Sequence, residues 1–310
     1  MKAFILAAGL GSRLRPITDV TPKPLIPVLN LPSICYTLSL LKEAGIDTVI
    51  CNVHHHAERI GRFFFDNSSF GMDIHISEET SILGTGGGLK HCENMLDNEP
   101  FILINSDIIA DFNLKSFIDS YNSSNNAGSL ILYKTPEAKA IGDVGIDKER
   151  VWDFRNMRNT GLRSEYIYAG AAVLGPSIFR YLSKGFSSIV DTGFTGLITH
   201  ESLGYFSHEG FWQDIGTPES LWQANIENTE NILEIGERVT RQLGTGPHTL
   251  SPSALVAADA TVHQSVIGRD CRIEEGASIR HSVVLPETTI AKNEVLDRMI
   301  AFPEGRLSLK

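Results

Sequence analysis

The sequence predicts an α/β fold: a Rossmann-like, mostly parallel sheet with helices on both faces, followed by a short C-terminal left-handed parallel β-helix. Two observations carry this prediction. Short apolar runs alternate with helical patterns over the first two thirds of the chain, which is typical of strands joined by crossover helices. Aliphatic residues then recur at a six-residue step over the last fifty residues, which favours a β-helix.

The strands of the predicted sheet are short apolar runs. A continuous run is typical of a parallel strand buried on both faces, and alternation indicates a half-buried strand. The predicted strands are Lys2–Ala8, Thr48–Val53, Met72–Ile76, Phe101–Ile104 and Ser129–Tyr133, and residues 37–44 are predicted to form a helix that ends at Gly45. Ligands of such sheets bind beyond the carboxyl ends of the strands, which directs attention to Gly9–Arg15, Asn105–Asp107 and the loop after Ile82.

Residues 16–32 differ in composition from the segments around them because they contain five prolines. These are Pro16, Pro22, Pro24, Pro27 and Pro32. Proline disrupts a helix and restricts the residue before it. We therefore predict a largely extended segment that stiffens the neighbouring glycine loop.

The tail carries its aliphatic side chains at regular intervals. They are Val256, Val262, Ile267, Ile273, Ile279 and Leu285. One inward side chain on each flat side of a β-helix would produce this step, and an ordinary small β-domain is the alternative. With only about three coils, the module exposes an apolar side that the first domain or a second subunit must cover.

Length indicates how the chain is divided. At roughly 150 residues per domain, 310 residues suggest about two domains. We predict a catalytic domain over residues 1–228, a connecting helix and linker over 229–250, and the β-helix over 251–310. The charged residues of 227–241 would form the solvated face of the connecting helix.

Composition excludes several classes of protein. Apolar residues make up 42% and charged residues 21% of the chain, which excludes general disorder, and no apolar run is long enough for a membrane span. The apolar N-terminus leads into a glycine turn rather than a cleavage site, so we interpret it as a strand and not as a secretion signal. A net charge of −10 argues against general nucleic-acid binding. Four scattered cysteines favour reduced thiols and a cytoplasmic location.

Glycines directly after the first strand indicate an anion site. Gly9 and Gly11 let backbone N–H groups approach a ligand closely. Arg13, Arg15 and Lys23 add cations beside the turn, which suits a polyphosphate. The loop lacks the Gly-Lys-Ser/Thr of a P-loop and the third glycine of the dinucleotide fingerprint.

The same loop resembles a known signature. Leu-Ala-Ala-Gly-Leu-Gly-Ser-Arg-Leu-Arg-Pro-Ile-Thr from Leu6, followed by Lys-Pro-Leu-Ile-Pro-Val from Lys23, is similar to that of the sugar-1-phosphate nucleotidylyltransferases, also called NDP-sugar pyrophosphorylases. Leu83–Gly88, Asn105–Asp107 and Trp212–Pro218 follow in the family's order, so the resemblance covers about residues 1–228. A hexapeptide tail is a common companion of this family.

The resemblance implies a reaction and a set of residue roles. These enzymes join a nucleoside triphosphate to a sugar 1-phosphate and release pyrophosphate. The implied nucleotide-binding residues are Ala8, Gly9, Gly11, Ser12, Glu79, Gly84 and Thr85, with the last three near the base, and the implied sugar-binding residues are Gly142 and Gly170. Arg13 would act on the leaving pyrophosphate, and Lys23 on the α-phosphate or the attacking phosphate. Asp107 and Asp214 would hold Mg²⁺, a hard cation that prefers carboxylates, phosphates and water.

The chain departs from the family pattern at two places. Ser106 stands where many members have glycine before the metal aspartate. Where many members have Glu-Lys-Pro, with a lysine that binds the sugar phosphate, this chain has Arg155-Asn156-Met157. Arg155, Arg158 or Arg163 would have to substitute, and spacing does not select among them.

Several readings of function stay open. Leu83–Gly88 and the tail favour a guanylyltransferase acting on mannose or heptose phosphate. A uridylyltransferase or thymidylyltransferase is the second possibility, and a regulatory subunit that binds nucleotide-sugar without turnover is the third. The presence of all four of Arg13, Lys23, Asp107 and Asp214 argues against that third reading. Three adjacent histidines, His54–His56, cannot all face one metal ion in an extended segment, and Ser12 lacks the nucleophile-elbow context. We expect a homo-oligomer without nucleic-acid or membrane partners.

Overall fold

A computed structural model describes residues 1–309. The α-helices are α1 Ser33–Glu43, α2 Ala57–Asp66, α3 Gly84–His91, α4 Leu114–Asn122, α5 Ala138–Ile141, α6 Thr195–His200, α7 Pro218–Ile226 and α8 Thr229–Leu243. The first strands are β1 Lys2–Leu6, β2 Pro27–Val28, β3 Leu31–Pro32, β4 Thr48–Val53, β5 Asp73–Glu78, β6 Phe101–Asn105, β7 Ile108–Ala110, β8 Gly128–Lys134, β9 Val144–Asp147, β10 Arg150–Phe154, β11 Tyr166–Leu174, β12 Leu203–His208 and β13 Trp212–Asp214. The remaining strands are β14 Leu255–Val256, β15 Thr261–His263, β16 Val266–Ile267, β17 Arg272–Ile273, β18 Ser278–Arg280, β19 Val283–Val284, β20 Thr289–Ile290, β21 Val295–Asp297, β22 Met299–Phe302 and β23 Gly305–Ser308.

A nine-stranded sheet dominates the first two thirds, in the order β5-β4-β1-β6-β11-β8-β12-β10-β9. From β5 to β6 all neighbours are parallel, and β8 is parallel to β12. β11 runs antiparallel to both β6 and β8, and β9 and β10 form an antiparallel hairpin. The central strand β1 is apolar and buried over Ala3–Ile5, as a strand between two parallel neighbours must be. The predicted α/β class is confirmed.

The proline-rich segment 16–32 differs from its prediction. It contains two short 3₁₀ turns, Ile17–Asp19 and Lys23–Leu25, before the two-residue strands β2 and β3. Pro16 and Pro22 directly precede these turns. Pro24 lies within the first positions of the second turn, where a proline's preset φ and missing N–H are tolerated. Prolines are therefore compatible with tight turns here and do not keep the whole segment extended.

Packing divides the chain into two compact units that interleave in sequence. Unit 1 comprises Met1–Leu10, Leu40–Ser106 and Asp111–Trp212, and it contains the nine-stranded sheet. Unit 2 comprises Gly11–Ser39, Asp107–Ala110 and the described residues from Gln213 onward, including the tail. The division at residues 228 and 250 drawn from the sequence stays a prediction.

The tail in unit 2 is a β-helix built from three stacks of parallel strands. The stacks are β14-β17-β20, β15-β18-β21 and β16-β19-β22, with β23 added antiparallel to β22. Residues at equivalent positions of successive coils lie 17 apart in sequence. Parallel stacking of this kind confirms the predicted β-helix, while its handedness stays a prediction.

The inward positions of the β-helix follow a step that differs slightly from the predicted one. The interior cluster includes Ile267, Ile273, Ile279 and Val284, so the third step is five residues instead of six. Leu285, expected to face inward, lies one position beyond this cluster. A three-sided coil of 17 residues cannot have three equal six-residue sides, so one side must be shorter.

No helix among residues 1–309 combines the length and the apolar character that a membrane span needs.

Candidate active site

Gly11 forms the turn of the signature loop in unit 2. Its φ of +62° lies in the left-handed region, and a Cβ there would stand 2.6 Å from Cγ2 of Thr18. Thr18 Oγ1 donates a hydrogen bond to the Gly11 carbonyl at 2.9 Å. Ser12–Leu14 then form a 3₁₀ turn that carries Arg13. Glycine at this position is therefore required by both conformation and packing.

Ala8 and Gly9 precede this turn and belong to unit 1. A Cβ added at Gly9 would meet no described atom within 4 Å. Packing inside the protein therefore does not require a glycine here, in contrast to Gly11. The open space beside this backbone is consistent with the close approach of a ligand that the sequence predicts.

Four charged side chains predicted to act in catalysis and metal binding come together in unit 2. Lys23 Nζ forms an ion pair with Asp107 Oδ2, and the two side chains are only 15% and 17% exposed. Burial raises the pKa of Asp214, and the nearby Asp107 carboxylate raises it further, while Lys23 and Arg13 act in the opposite direction. Two cations and two carboxylates at short range form a site that suits an anionic ligand together with a hard cation.

Two short strands explain how the aspartates become neighbours. Asp107 directly precedes β7, Asp214 ends β13, and these two strands pair. The N–H of Ile215 donates to the Asp107 carbonyl at 3.1 Å. Carboxylates that are far apart in sequence are thereby placed at adjacent strand ends.

Gly216 is a site residue that the sequence analysis missed. A Cβ at this position would stand 2.6 Å from Nη2 of Arg13 and 2.8 Å from Oδ2 of Asp214. Directly after it, Thr217 and Ser220 form a reciprocal capping box that starts α7, which holds this segment in place. Its position inside the motif Trp212–Pro218 was the available signal, but nothing in the sequence showed that Arg13 lies against it.

The oxygen atoms of Asp107 and Asp214 fit a divalent cation. The Asp107 carboxylate raises the pKa of Asp214, so a cation held by both would favour the ionised form of Asp214, and Mg²⁺ prefers carboxylate ligands. Among residues 1–309 there is no group of three or more His, Cys, Asp or Glu side chains arranged to hold a metal. An ion at these two carboxylates would need further oxygen ligands, such as phosphate and water.

Glu79 lies in unit 1 with both carboxylate oxygens engaged by the protein. Oε1 accepts from Nδ2 of Asn52 at 2.7 Å, and Oε2 accepts from the N–H of Leu83 at 3.0 Å. Asn52, which the sequence analysis did not single out, also accepts from the N–H of Ala7 at 2.9 Å. Glu79 is only 4% exposed, so these contacts connect β1, β4 and the start of α3. A base contact by Glu79 stays a prediction.

The glycine-rich segment Leu83–Gly88, predicted to be a loop, is the first part of helix α3 instead. Its glycines face protein atoms. A Cβ at Gly84, where φ is +70°, would stand 2.5 Å from the carbonyl oxygen of Ser187, and a Cβ at Gly86 would stand 2.6 Å from Oγ of Ser187. A helix can form here because another backbone packs directly against its glycine face.

Hydrogen bonds join the same two segments. The Gly86 N–H donates to the Ser187 carbonyl at 2.8 Å, and the Ser187 N–H donates to the Leu83 carbonyl at 2.9 Å. The hydroxyl of Thr85 accepts from the N–H of Ile189 at 2.9 Å. The predicted base-binding residues Gly84 and Thr85 are therefore held rigidly within unit 1.

The predicted sugar-binding glycines lie at two irregular points of unit 1. Gly142 has φ +145°, and a Cβ on it would stand 3.5 Å from Nε of Arg155. Gly170 has φ +84° and lies where the pairing of β11 with β8 shifts register between Tyr168 and Ala172. Both backbones adopt conformations that favour glycine.

The three arginines left open by the sequence have different surroundings. Arg163 Nη1 contacts both carboxylate oxygens of the buried Asp143, at 2.6 and 2.8 Å. Arg158 donates to the hydroxyl of Thr199 at 2.9 Å. Arg155 is exposed, and within residues 1–309 its guanidinium has no comparable partner. Of the three, only Arg155 is available to a ligand without breaking an existing contact.

Comparison with known proteins identifies the family. Residues 2–231 match the family described as nucleotidyl transferase, and residues 241–304 match the GlmU-like C-terminal hexapeptide family. The chain belongs to the nucleotidyl transferase family. The resemblance noted in the sequence is confirmed, as is the prediction of an enzyme of nucleotidyl transfer.

Individual relatives of this nucleotidyl transferase agree with that assignment. It is 32% identical to mannose-1-phosphate guanyltransferase 2 of Candida glabrata over 81% of this chain and 70% of the relative. It is 30% identical to mannose-1-phosphate guanylyltransferase 1 of Arabidopsis thaliana over 94% of this chain and 81% of the relative. A crystal structure described as a glucose-1-phosphate thymidylyltransferase from Bacillus anthracis superimposes with a TM-score of 0.66 at 25% identity, covering 73% of this chain and 94% of that one.

Proposed function

We propose that this nucleotidyl transferase transfers a nucleotidyl group from a nucleoside triphosphate to a sugar 1-phosphate. An oxygen of the sugar phosphate attacks the α-phosphorus in line, the bond to the β-phosphate oxygen breaks, and the products are an NDP-sugar and pyrophosphate. The observation that carries this proposal is the cluster of Arg13, Lys23, Asp107 and Asp214 in unit 2. Both substrates and the leaving group are anions, so charge neutralisation and alignment are the main tasks of such a site.

The two cations have separate tasks in this proposal. Arg13 binds the pyrophosphate as it leaves, where its planar fork can hold two oxygens. Lys23 contacts the α-phosphate or the attacking phosphate, and its ion pair with Asp107 holds its ammonium group in position before substrate arrives. Ala8, Gly9, Gly11 and Ser12 offer backbone N–H groups to the phosphates.

Asp107 and Asp214 would hold Mg²⁺, which when bound neutralises phosphate charge. Burial, followed by the Asp107 carboxylate, raises the pKa of Asp214 and so disfavours its ionised form in the free protein. A bound divalent cation would favour the ionised form of Asp214 and offset that penalty.

We propose that the base is guanine and that the sugar is mannose or heptose. The support is the similarity to mannose-1-phosphate guanylyltransferases, with Glu79, Gly84 and Thr85 near the base. A uridylyl or thymidylyl transfer to another sugar phosphate is the second candidate, favoured by the similarity to a thymidylyltransferase structure.

For the sugar phosphate, we propose that Arg155 supplies the cation that the missing Glu-Lys-Pro motif would have provided, while Gly142 and Gly170 contact the sugar. Arg155 lies beside Gly142 and lacks a partner within residues 1–309. Arg158 and Arg163 already bind protein groups.

The cellular setting is also part of the proposal. All four cysteines are free and buried, which suits a reducing compartment such as the cytoplasm. We propose NTP and sugar 1-phosphate as the partners, with no role for nucleic acid or membrane, in a homo-oligomeric enzyme.

One panel assay tests the proposed function. Pyrophosphate release is measured for each of GTP, UTP, dTTP, ATP and CTP with several sugar 1-phosphates, with Mg²⁺ and with excess chelator. We expect the highest rate for GTP with mannose or heptose 1-phosphate and loss of the rate in chelator. Full turnover in chelator would exclude the metal assignment, and no release with any pair would exclude the reaction.

A further inference from the structure

The hairpin formed by β2 and β3 follows the signature loop in unit 2. Its strand pairing leaves Leu29 and Asn30 as a two-residue turn. Both residues have positive φ, +47° and +64° respectively. Asparagine and glycine favour such a turn, whereas a leucine in this conformation is strained. The backbone at Leu29 therefore needs support from the residues around it.

Hydrogen bonds from other segments of unit 2 supply that support. The Leu29 N–H donates to Oδ1 of Asn225 on α7 at 2.8 Å, and the Leu29 carbonyl accepts from the His248 N–H at 2.8 Å. Nδ2 of Asn30 donates to two carbonyls, those of His248 and Ile267, each at 2.9 Å. Ile267 ends β16, a strand of the β-helix. The tip of the hairpin is thus bound to both α7 and the β-helix.

The side-chain amide of Asn30 makes contacts that the turn itself does not require. Glycine adopts the same backbone conformation readily, so the turn alone would need no side chain at this position. The Ile267 carbonyl, which accepts from the amide, also accepts from the Ser251 N–H at 3.0 Å within the β-helix. The Asn30 side chain therefore attaches the hairpin to an already ordered part of the tail.

The other end of the hairpin lies against the 3₁₀ turn that begins with Lys23. Ser33, directly after β3, is buried, and its hydroxyl donates to the Pro24 carbonyl at 3.1 Å and lies 3.4 Å from the Lys23 carbonyl. The Ser33 N–H donates to the Ile26 carbonyl at 3.1 Å. The hairpin therefore starts and ends at the turn whose lysine forms the ion pair with Asp107.

We propose that Asn30 is a positioning residue for Lys23, so that the β-helix contributes to nucleotidyl transfer through this contact. Without the Asn30 amide the hairpin would still form, but the Lys23 ammonium group would no longer be held at one place in the charged cluster. Asn225 supplies a second link, because α7 begins at Pro218, shortly after Asp214. The inference rests on the proposed function for the role of Lys23 in the reaction.

Steady-state kinetics on the full-length chain test the proposal with Asn30→Gly. Glycine keeps the turn and removes only the amide, so we expect a folded protein, which thermal unfolding checks. We expect kcat to fall about tenfold because a displaced lysine loses its alignment, while KM for the nucleoside triphosphate changes less than about twofold. Asn98→Gly is the matched control, because Asn98 also has positive φ but is exposed in unit 1.

A double-variant cycle with Lys23→Ala separates positioning from a general effect on the fold. If Asn30 acts through Lys23, Asn30→Gly should change the residual rate of Lys23→Ala by less than about twofold. Asn30→Asp is a second variant that keeps the side-chain shape but replaces the donor by an acceptor facing two carbonyls, so its kcat should fall at least as far. An additive loss in the Lys23→Ala background, or an unchanged kcat in both Asn30 variants, would overturn the proposal.

Amine labelling gives a readout that does not depend on the reaction. The Lys23 side chain is only 15% exposed, and its acetylation, measured by mass spectrometry, should be several-fold faster in Asn30→Gly because its ion pair opens more often. Lys134, with a 60% exposed side chain in unit 1, should be labelled at the same rate in both proteins. If the unmodified protein released no pyrophosphate with any substrate pair, the proposed function would fail, and the labelling rates would then decide the positioning of Lys23. Equal Lys23 rates in the two proteins would overturn it.

Discussion

The charged cluster of unit 2 and the glycine-rich start of α3 in unit 1 differ in how they are packed and in what they contribute. In the cluster, burial and the Asp107 carboxylate raise the pKa of Asp214, which is a cost in the free protein, while Lys23 and Arg13 offset part of it. At the start of α3, Gly84 and Gly86 have no side chains, and a neighbouring backbone fills the space. The raised pKa of Asp214 is a cost to the free protein that a bound cation would offset, and the packing at α3 stabilises the fold. Variants in the charged cluster should therefore affect activity more than stability, and variants at the start of α3 should affect stability more than activity.

Removal of a charge from the cluster has the largest expected effect on activity. Lys23→Ala and Arg13→Ala should each lower kcat by about 10³-fold, roughly 4 kcal/mol, while NTP binding weakens much less. Arg13→Lys should fail in the same way, because an ammonium group cannot replace the planar fork. Steady-state kinetics with separate nucleotide-binding measurements check this, and Lys134→Ala, on a lysine with a 60% exposed side chain, is the control. A variant at either site with the original rate would remove that residue from the mechanism.

A methyl group at Gly216 has the second largest expected effect on activity, because it would displace the charged groups without removing them. Gly216→Ala should lower kcat by about 10–100-fold by pushing the Arg13 guanidinium and the Asp214 carboxylate out of position. Thermal stability should change little by comparison, since the charged side chains can move toward solvent. Gly185→Ala is the matched control, because a Cβ there would meet no described atom within 4 Å. Equal kinetics for the two variants would show that Gly216 does not position the cluster.

A methyl group on α3 should instead act on stability. Intrinsic helix propensity favours Gly86→Ala by about 1 kcal/mol, but contact with Ser187 Oγ should outweigh this gain and destabilise the protein by about 1–3 kcal/mol. Ser187→Ala alone should be close to neutral, because its buried hydroxyl has no hydrogen-bond partner within residues 1–309. The double variant should recover part of the loss, which denaturant unfolding of all four proteins measures as a coupling energy. Additive losses would mean that Ser187 Oγ is not the limiting contact.

The same comparison shows what could be predicted from sequence. Charged residues such as Lys23 and Asp107 are recognisable by residue type and motif, because their chemistry belongs to the side chain itself. Apolar runs such as Thr48–Val53 predicted their strand to the residue, since burial in a parallel sheet requires a continuous run.

Features that depend on long-range packing could not be predicted in this way. A glycine is compatible with a loop, a turn or a tightly packed helix. At Gly86 the close approach of Ser187 shows that the glycine belongs to a tightly packed helix. Gly216 and Asn52 function through contacts with residues far away in sequence. The five-residue step to Val284 follows from closure of a whole coil, which no local pattern reports.

The smallest expected effect is a gain in stability from removing a charge that function requires. Burial and the Asp107 carboxylate raise the pKa of Asp214 above its value in the unfolded chain. The stability linked to its protonated form is fully present below the unfolded pKa and is lost as the pH rises through the folded pKa. Asparagine stays neutral at every pH and avoids this loss. In excess chelator, Asp214→Asn should therefore be more stable than the unmodified protein near neutral pH, by on the order of 1 kcal/mol or less, with no gain in strong acid. Asp119→Asn, at an exposed position on α4, should show no such pH-dependent difference in thermal unfolding. A loss of stability in Asp214→Asn at neutral pH would contradict the view that the cluster is maintained for ligand binding at the expense of the free fold.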